Sequence, residues 1–221
     1  MVGYIILGLL ALLLACLCLL SLVGCGNSGK VDGEKDDEPA KTPEYTAATT
    51  DNNVYRSEFA GLTATLGADW QVLTQAEIAD VVGLTAELTT DEDFKNALSS
   101  GETVFDLYAI TATGSSLNIT VGDLGVLYGK LLDMDVLAQT ASSQLVGLLE
   151  SMGLSDVQAE VTKITFAGTQ EAAVDLTGTT QGVTMYETQV YKKVGNYYYA
   201  ITACTYGEDG TADILALFQS L

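Results

Sequence analysis

The apolar run from Tyr4 to Val23 withdraws the start of the chain from whatever globular fold the remainder makes. It closes on Leu22-Val23-Gly24-Cys25, and Gly26-Asn27-Ser28-Gly29 follow at once. Its length reaches the roughly 20 residues that a membrane-spanning helix needs, so it works either as a removed export signal or as a retained anchor. Every Lys, Arg, Asp and Glu lies after Cys25, so the charge belongs to the part beyond this segment.

A hydrophobic segment closed by small residues just before a cysteine resembles a bacterial lipoprotein signal. In such signals the peptidase cleft admits only small side chains, and the cysteine sulfur receives the diacylglycerol. Cys25 is therefore the expected lipidation site. A second box, Leu13-Leu14-Ala15-Cys16, would strand apolar Leu17 to Val23 on the mature N-terminus and fits less well. Met1-Val2-Gly3-Tyr4 lacks the basic residues usual in a signal, which keeps the uncleaved anchor open. In that case Lys30, Lys35 and Lys41 would draw the C-terminal part towards the cytoplasm. Gly26 stands where an Asp would favour inner-membrane retention. Two or three acyl chains on one cysteine exceed what stable anchoring requires. The expected location is the extracytoplasmic face of the cell membrane, held by lipid.

The 221 residues carry 29 acidic against 9 basic side chains, a formal charge of −20. Phosphate backbones are bound by clustered Lys and Arg, so nucleic acid is not an expected partner. Cys16 and Cys18 leave with a cleaved signal and Cys25 is acylated, so Cys204 alone remains and no internal disulfide can form. The absence of His removes Ser-His-Asp and Cys-His catalysis and His-ligated zinc. No cofactor is expected.

Residues 26–53 read as a flexible acidic tether between the signal (1–25) and a single domain (54–221). Both prolines, Pro39 and Pro43, fall there, and large apolar residues are scarce. Such composition cannot offset the entropy of ordering. Strands are then expected over Val54–Phe59 and Leu62–Leu66. Thr74-Gln75-Ala76-Glu77 and Thr89-Thr90-Asp91-Glu92 open helices running to Val82 and Leu98. Further strands follow over Val104–Ile110 and Leu117–Val121. Leu137, Ala141, Leu145, Leu148 and Met152 define one face of a helix from Met134 to Met152, with Gly153 as its stop. Four strands come next, Val161–Phe166, Glu171–Leu176, Val183–Val190 and Tyr197–Tyr206, joined by links short enough for antiparallel pairing. A helix over Thr211–Leu221 ends the chain. The fold class is α+β: an antiparallel sheet with helices packed on it, an α/β/α sandwich.

Phe59 to Leu66 followed by Gly67-Ala68-Asp69-Trp70, the Asp106-Leu107-Tyr108-Ala109 strand, the long middle helix, Gly195-Asn196-Tyr197-Tyr198 and the short terminal helix resemble the PsbP-like family. That family includes the extrinsic photosystem II subunit, a nuclear Ran-binding relative and exported bacterial lipoproteins. The resemblance spans Val54 to Leu221 and implies the sandwich; partners differ among its members, and one fold hosts many functions.

Tyr186, Tyr191, Tyr197, Tyr198 and Tyr199 on the last two strands are the candidate binding residues. Tyrosine gives large contact area at low entropic cost, although it also simply suits strands. Alternation puts Tyr197 and Tyr199 on one face and Tyr198 on the other. The acidic groups Asp91-Glu92-Asp93, Asp133 with Asp135, and Glu208-Asp209 with Asp213 match no calcium loop and sit beside helix starts, where the macrodipole accounts for them. Cys204, in an apolar strand without a base, reads as core. The expected function is that of a non-enzymatic, membrane-tethered binding or accessory module for a protein or envelope partner. The alternatives are a glycan hydrolase working with two carboxylates and a weak calcium binder.

Overall fold

A computed structural model gives the structure of residues 44–82 and 88–221. The expected signal, the lipidation site Cys25 and the tether up to residue 43 lie outside these described residues. Among the described residues, no helix is long and apolar enough to cross a membrane.

The chain begins with three short strands, β1 (Thr49–Asp51), β2 (Val54–Ser57) and β3 (Leu62–Thr65). After these come β4 (Trp70–Val72), α1 (Gln75–Val82) and α2 (Asp91–Ser99). Strands β5 (Val104–Thr111) and β6 (Ser116–Asp123) precede two helices, α3 (Gly125–Leu131) and α4 (Met134–Ser151). Four long strands follow: β7 (Ser155–Phe166), β8 (Thr169–Thr180), β9 (Val183–Val194) and β10 (Tyr197–Tyr206). The chain closes with α5 (Thr211–Leu215) and β11 (Phe218–Ser220). All strand pairs are antiparallel, in a seven-stranded sheet ordered β4-β5-β6-β10-β9-β8-β7 and a four-stranded sheet ordered β1-β2-β3-β11.

The mixed α and β content, with antiparallel sheet dominant, follows the sequence expectation, but the layers differ from it. Alternate residues of the large sheet feed two cores. Leu117, Ile119 and Val121 with Tyr199, Ile201 and Ala203 face the small sheet, meeting Tyr55, Leu62, Ala64 and Phe218. Tyr198, Ala200 and Cys204 with Val174 and Leu176 face Leu137, Ala141, Leu145 and Leu149 of α4. One side of the expected α/β/α sandwich is thus a second sheet. The cause lies at the two chain ends, which both supply strands where the sequence reading placed a tether and a helix.

The N-terminal boundary moves accordingly. Tyr45 is fully buried, its hydroxyl donating to Asp106 Oδ1 at 2.7 Å and its ring lying 5.6 Å from Phe59 and 5.8 Å from Tyr197. Glu44 pairs with Lys95 at 2.7 Å. Asn52 and Asn53, at φ 50° and 59°, form the tight turn that folds β1 onto β2. Ordered domain structure therefore starts at least ten residues before Val54, because one aromatic anchor overrides the polar composition around it. At the other end, the expected helix 211–221 stops at Leu215. Phe218 instead pairs with Ala64 and packs 5.2 Å from Phe166 and 6.1 Å from Tyr55. The free edge of β3 offers backbone partners and an aromatic pocket that a continued helix would forgo.

Local signals elsewhere are realised. Thr74 and Glu77 cap α1 reciprocally, Glu77 N donating to Thr74 Oγ1 at 3.2 Å and Thr74 N to Glu77 Oε2 at 2.8 Å. The second box sits one residue later than expected, as Thr90 with Asp93. Asp133 Oδ1 accepts from Asp135 N at 3.0 Å to start α4. The β7–β8 loop is Ala167-Gly168, at φ 46° and 87°, and Gln181-Gly182 joins β8 to β9 at φ 50° and 79°. These are the mirror-image turns that match strand twist.

Candidate functional site

Both faces of the large sheet are covered along β6 and β10, and that decides the fate of the tyrosines. Tyr191, Tyr198 and Tyr199 are buried, while Tyr186 and Tyr197 are half-buried. The expected alternation holds, with Tyr199 in the core between the sheets and Tyr198 beneath the helices. An exposed tyrosine platform on the terminal hairpin, however, does not exist. Tyr197 is packed edge-on against Phe59 at 5.4 Å. The Tyr191 hydroxyl donates to Gln189 Oε1. Tyr198 lies over Gly122, its register partner, where an added Cβ would run into the ring. Gly122→Ala should therefore destabilise the protein by about 2 kcal/mol through overpacking, measured by urea unfolding.

The face below the helices carries buried polar rows across β6, β10 and β9. Ser116, Cys204 and Glu187 form one row, and Asn118, Thr202 and Gln189 the next. Gln189 Nε2 donates to Thr202 Oγ1 at 2.9 Å. Glu187 is 1% exposed, and neither carboxylate oxygen has a hydrogen-bond partner among the described residues. Burial pushes its carboxyl up to about 7. Burial, then the adjacent Glu187, pushes the Cys204 thiol well above its ordinary value, which keeps it un-ionised and inert. The sequence held a sign of Glu187: it shares strand phase with Met185 and Tyr191, both core residues.

The opposite side presents a groove of about 670 Å³ between the β7–β8 hairpin and the α5–β11 segment, with Ile164, Gly168, Ala212 and Leu215 among its walls. A polar ladder runs along it. Thr162 Oγ1 donates to Asp175 Oδ2 at 3.1 Å, and Thr188 Oγ1 lies 2.7 Å from Asp175 Oδ1. The Thr188 and Thr211 hydroxyls are 3.0 Å apart, and Thr211 Oγ1 donates to Asp209 Oδ1 at 2.8 Å. Three contacts thus share two hydroxyl protons, so Thr188 divides its donation between Asp175 and Thr211. The lining holds two carboxylates and no Lys or Arg. It suits hydroxyl, amide or ammonium groups and disfavours anions.

Sequence reasoning missed Asp175 and Thr188, whose only sign is their phase with Ala173 and Val190 of the inter-sheet core. It noticed Asp209, but as a helix-end charge; the carboxylate accepts from Thr211 N at 3.1 Å as well as from the hydroxyl. The other acidic groups act as caps, Asp93 for α2 and Asp133 for α4. Among the described residues, no group of three or more Cys, Asp or Glu is arranged to hold a metal ion.

No family model matches the chain, and no curated protein does. Among solved structures, the crystal structure of LpqN, involved in cell envelope biogenesis of Mycobacterium tuberculosis, aligns with 13% identity over 70% of this chain and 75% of its own, at a TM-score of 0.33. A likeness that distant carries no argument for fold or function.

Proposed function

We propose that the protein is a lipid-anchored, extracytoplasmic binding module without catalytic activity, and that the Asp175–Thr188–Thr211–Asp209 groove receives an envelope partner. The observation that carries this reading is a groove whose polar groups are already ordered by one another, leaving an acceptor surface ready for hydroxyl or amine donors. Preorganised polar groups in a concave site with apolar walls are the usual make-up of a binding pocket. The Leu22-to-Cys25 motif supports the anchor. Cys25→Ala should abolish incorporation of labelled palmitate.

Two carboxylates in one groove also keep the hydrolase reading in view. One experiment separates the two. The intact protein is incubated with purified cell-wall glycan and with solubilised envelope protein, with retention and glycan turnover both measured. Binding without turnover is expected. Ala212→Trp, at an exposed groove position away from the core, should weaken it about tenfold or more, equivalent to 1.4 kcal/mol. Glycan turnover lost in Asp175→Asn would overturn the non-enzymatic reading.

A further inference from the structure

The described residues expose few large apolar side chains, and four of the six fall within eleven positions: Val126 (65% exposed), Tyr128 (51%), Leu131 (73%) and Val136 (55%). Tyr128 and Leu131 are three apart on α3 and so are neighbours on its surface. Val126 lies in its first turn, and Val136 lies in the first turn of α4. Among the described residues, none of these side chains belongs to a hydrophobic core. α3 is nevertheless fixed in place: Leu124 N donates to Asn196 O at 2.8 Å, and Gly129 closes onto Asn196 so tightly that a Cβ would collide with it.

That contact also locates the segment relative to the N-terminus. Asn196 adjoins Tyr197, whose ring lies 5.8 Å from Tyr45. Residue 44, where the described chain begins, therefore enters at the same end of the large sheet as α3. Only residues 26–43 separate it from Cys25, a span of at most about 65 Å when fully extended. Exposed Lys130 and the partly buried Lys193, whose Nζ donates to Leu132 O at 2.9 Å, flank the apolar residues. The nearby acids are engaged: Asp123 accepts from Gly125 N, Asp133 caps α4, and Asp135 pairs with Lys163 at 2.7 Å.

From this placement we propose that Val126, Tyr128, Leu131 and Val136 form a docking surface for the phospholipid bilayer that carries the protein's own anchor. The domain then lies against the membrane at this end, rather than swinging freely on its tether. Aliphatic and tyrosine side chains beside lysine are the composition of segments that settle at the headgroup boundary. With the nearby acids and lysines roughly balanced, contact rests on apolar insertion and needs no anionic lipid. The proposal depends on the lipid-anchor reading, and its test keeps the two apart.

Protein expressed from the full sequence with Cys25 intact and with Cys16→Ser and Cys18→Ser is reconstituted into phosphatidylcholine vesicles containing a nitroxide-labelled lipid. A fluorophore is attached at Leu131→Cys or, as a control, at Gln181→Cys in the turn at the opposite end of β9; Cys204 is fully buried. Vesicle co-sedimentation reports anchoring, and quenching reports docking. The Leu131 probe should be quenched at least about threefold more than the Gln181 probe. Val126→Ser, Tyr128→Ser and Val136→Ser together should abolish that difference while the protein still sediments. A protein that sediments with equal quenching at both positions overturns the docking surface alone. One that fails to sediment overturns the anchor and the docking with it. Concentration-dependent dimers abolished by the triple substitution would assign the surface to a second copy instead and overturn the proposal.

Discussion

Between pH 4.5 and 7 the folded state should lose about 3 kcal/mol of stability through Glu187 alone. The carboxyl is pushed up from 4.5 to about 7 because it is buried without a donor. The native state therefore holds a proton that the unfolded chain has already released. Its contribution is fully present below pH 4.5, falls as the pH rises towards 7, and stays lost above that; each unit is worth about 1.4 kcal/mol. Glu187→Gln should flatten this slope, so that urea midpoints at pH 5 and pH 8 draw together with an unchanged m-value. The groups facing Glu187, Cys204 and Tyr206, cannot mimic the effect, since both are pushed up from ordinary values of 9.0 and 10.0 and so lose protons in neither state below pH 8. Asp106 is pushed up by burial as well and contributes a slope of the same sign, starting from the ordinary carboxylate range. A wild-type protein equally stable at pH 5 and pH 8 would show that Glu187 is solvated or paired.

The second large effect concerns Asp106, which sits at a bulge in β5 and fastens the N-terminal segment. Tyr45 and Tyr55 hydroxyls donate to its two oxygens at 2.7 and 3.1 Å, and Ala48 N donates at 3.2 Å. Burial and the adjacent Asp106 carboxylate hold both phenols far above their ordinary range, so they remain donors. Asp106→Ala leaves the buried Tyr45 hydroxyl without its acceptor and the buried Tyr55 hydroxyl with Ser57 alone. Each such group costs about 1–3 kcal/mol, so the total loss should be about 4 kcal/mol. Asp106→Asn keeps an acceptor for Tyr45 and should cost less than half as much. Limited proteolysis gives a local readout: in Asp106→Ala, cleavage should appear between Glu44 and Thr49 under conditions where the wild type is resistant.

What the sequence disclosed, and what it hid, follows from the range over which each signal acts. The caps of α1 and α4, the three tight turns of the β7–β10 meander and the phase of α4 depend on residues a few positions apart, and they were legible. β1 and β11 were not: each is only three residues long, β11 pairs with the distant β3, and β1, although it turns straight onto β2, is held in the fold by a distant anchor. Their aromatic anchors, Tyr45 and Phe218, meet Asp106 and Phe166 across long sequence separations. The tyrosines of β9 and β10 misled for a related reason. Alternation gave their faces correctly, but a strand's own residues do not say that both faces are covered. The groove ladder joins five residues from β7, β8, β9 and the α5 region, and no spacing within one element marks it. Glu187 is different: a carboxylate in phase with Met185 and Tyr191 already contradicts the pattern of its own strand, and that conflict points to a buried charge.

The lipid anchor stands or falls with the N-terminus of the native molecule. Intact-mass spectrometry of the protein extracted by detergent from its own cells should give the mass of residues 25–221 plus a diacylglyceryl group on Cys25, with or without a further acyl chain. An unmodified chain still carrying its first twenty-four residues would contradict the lipid anchor and the membrane-facing role built on it.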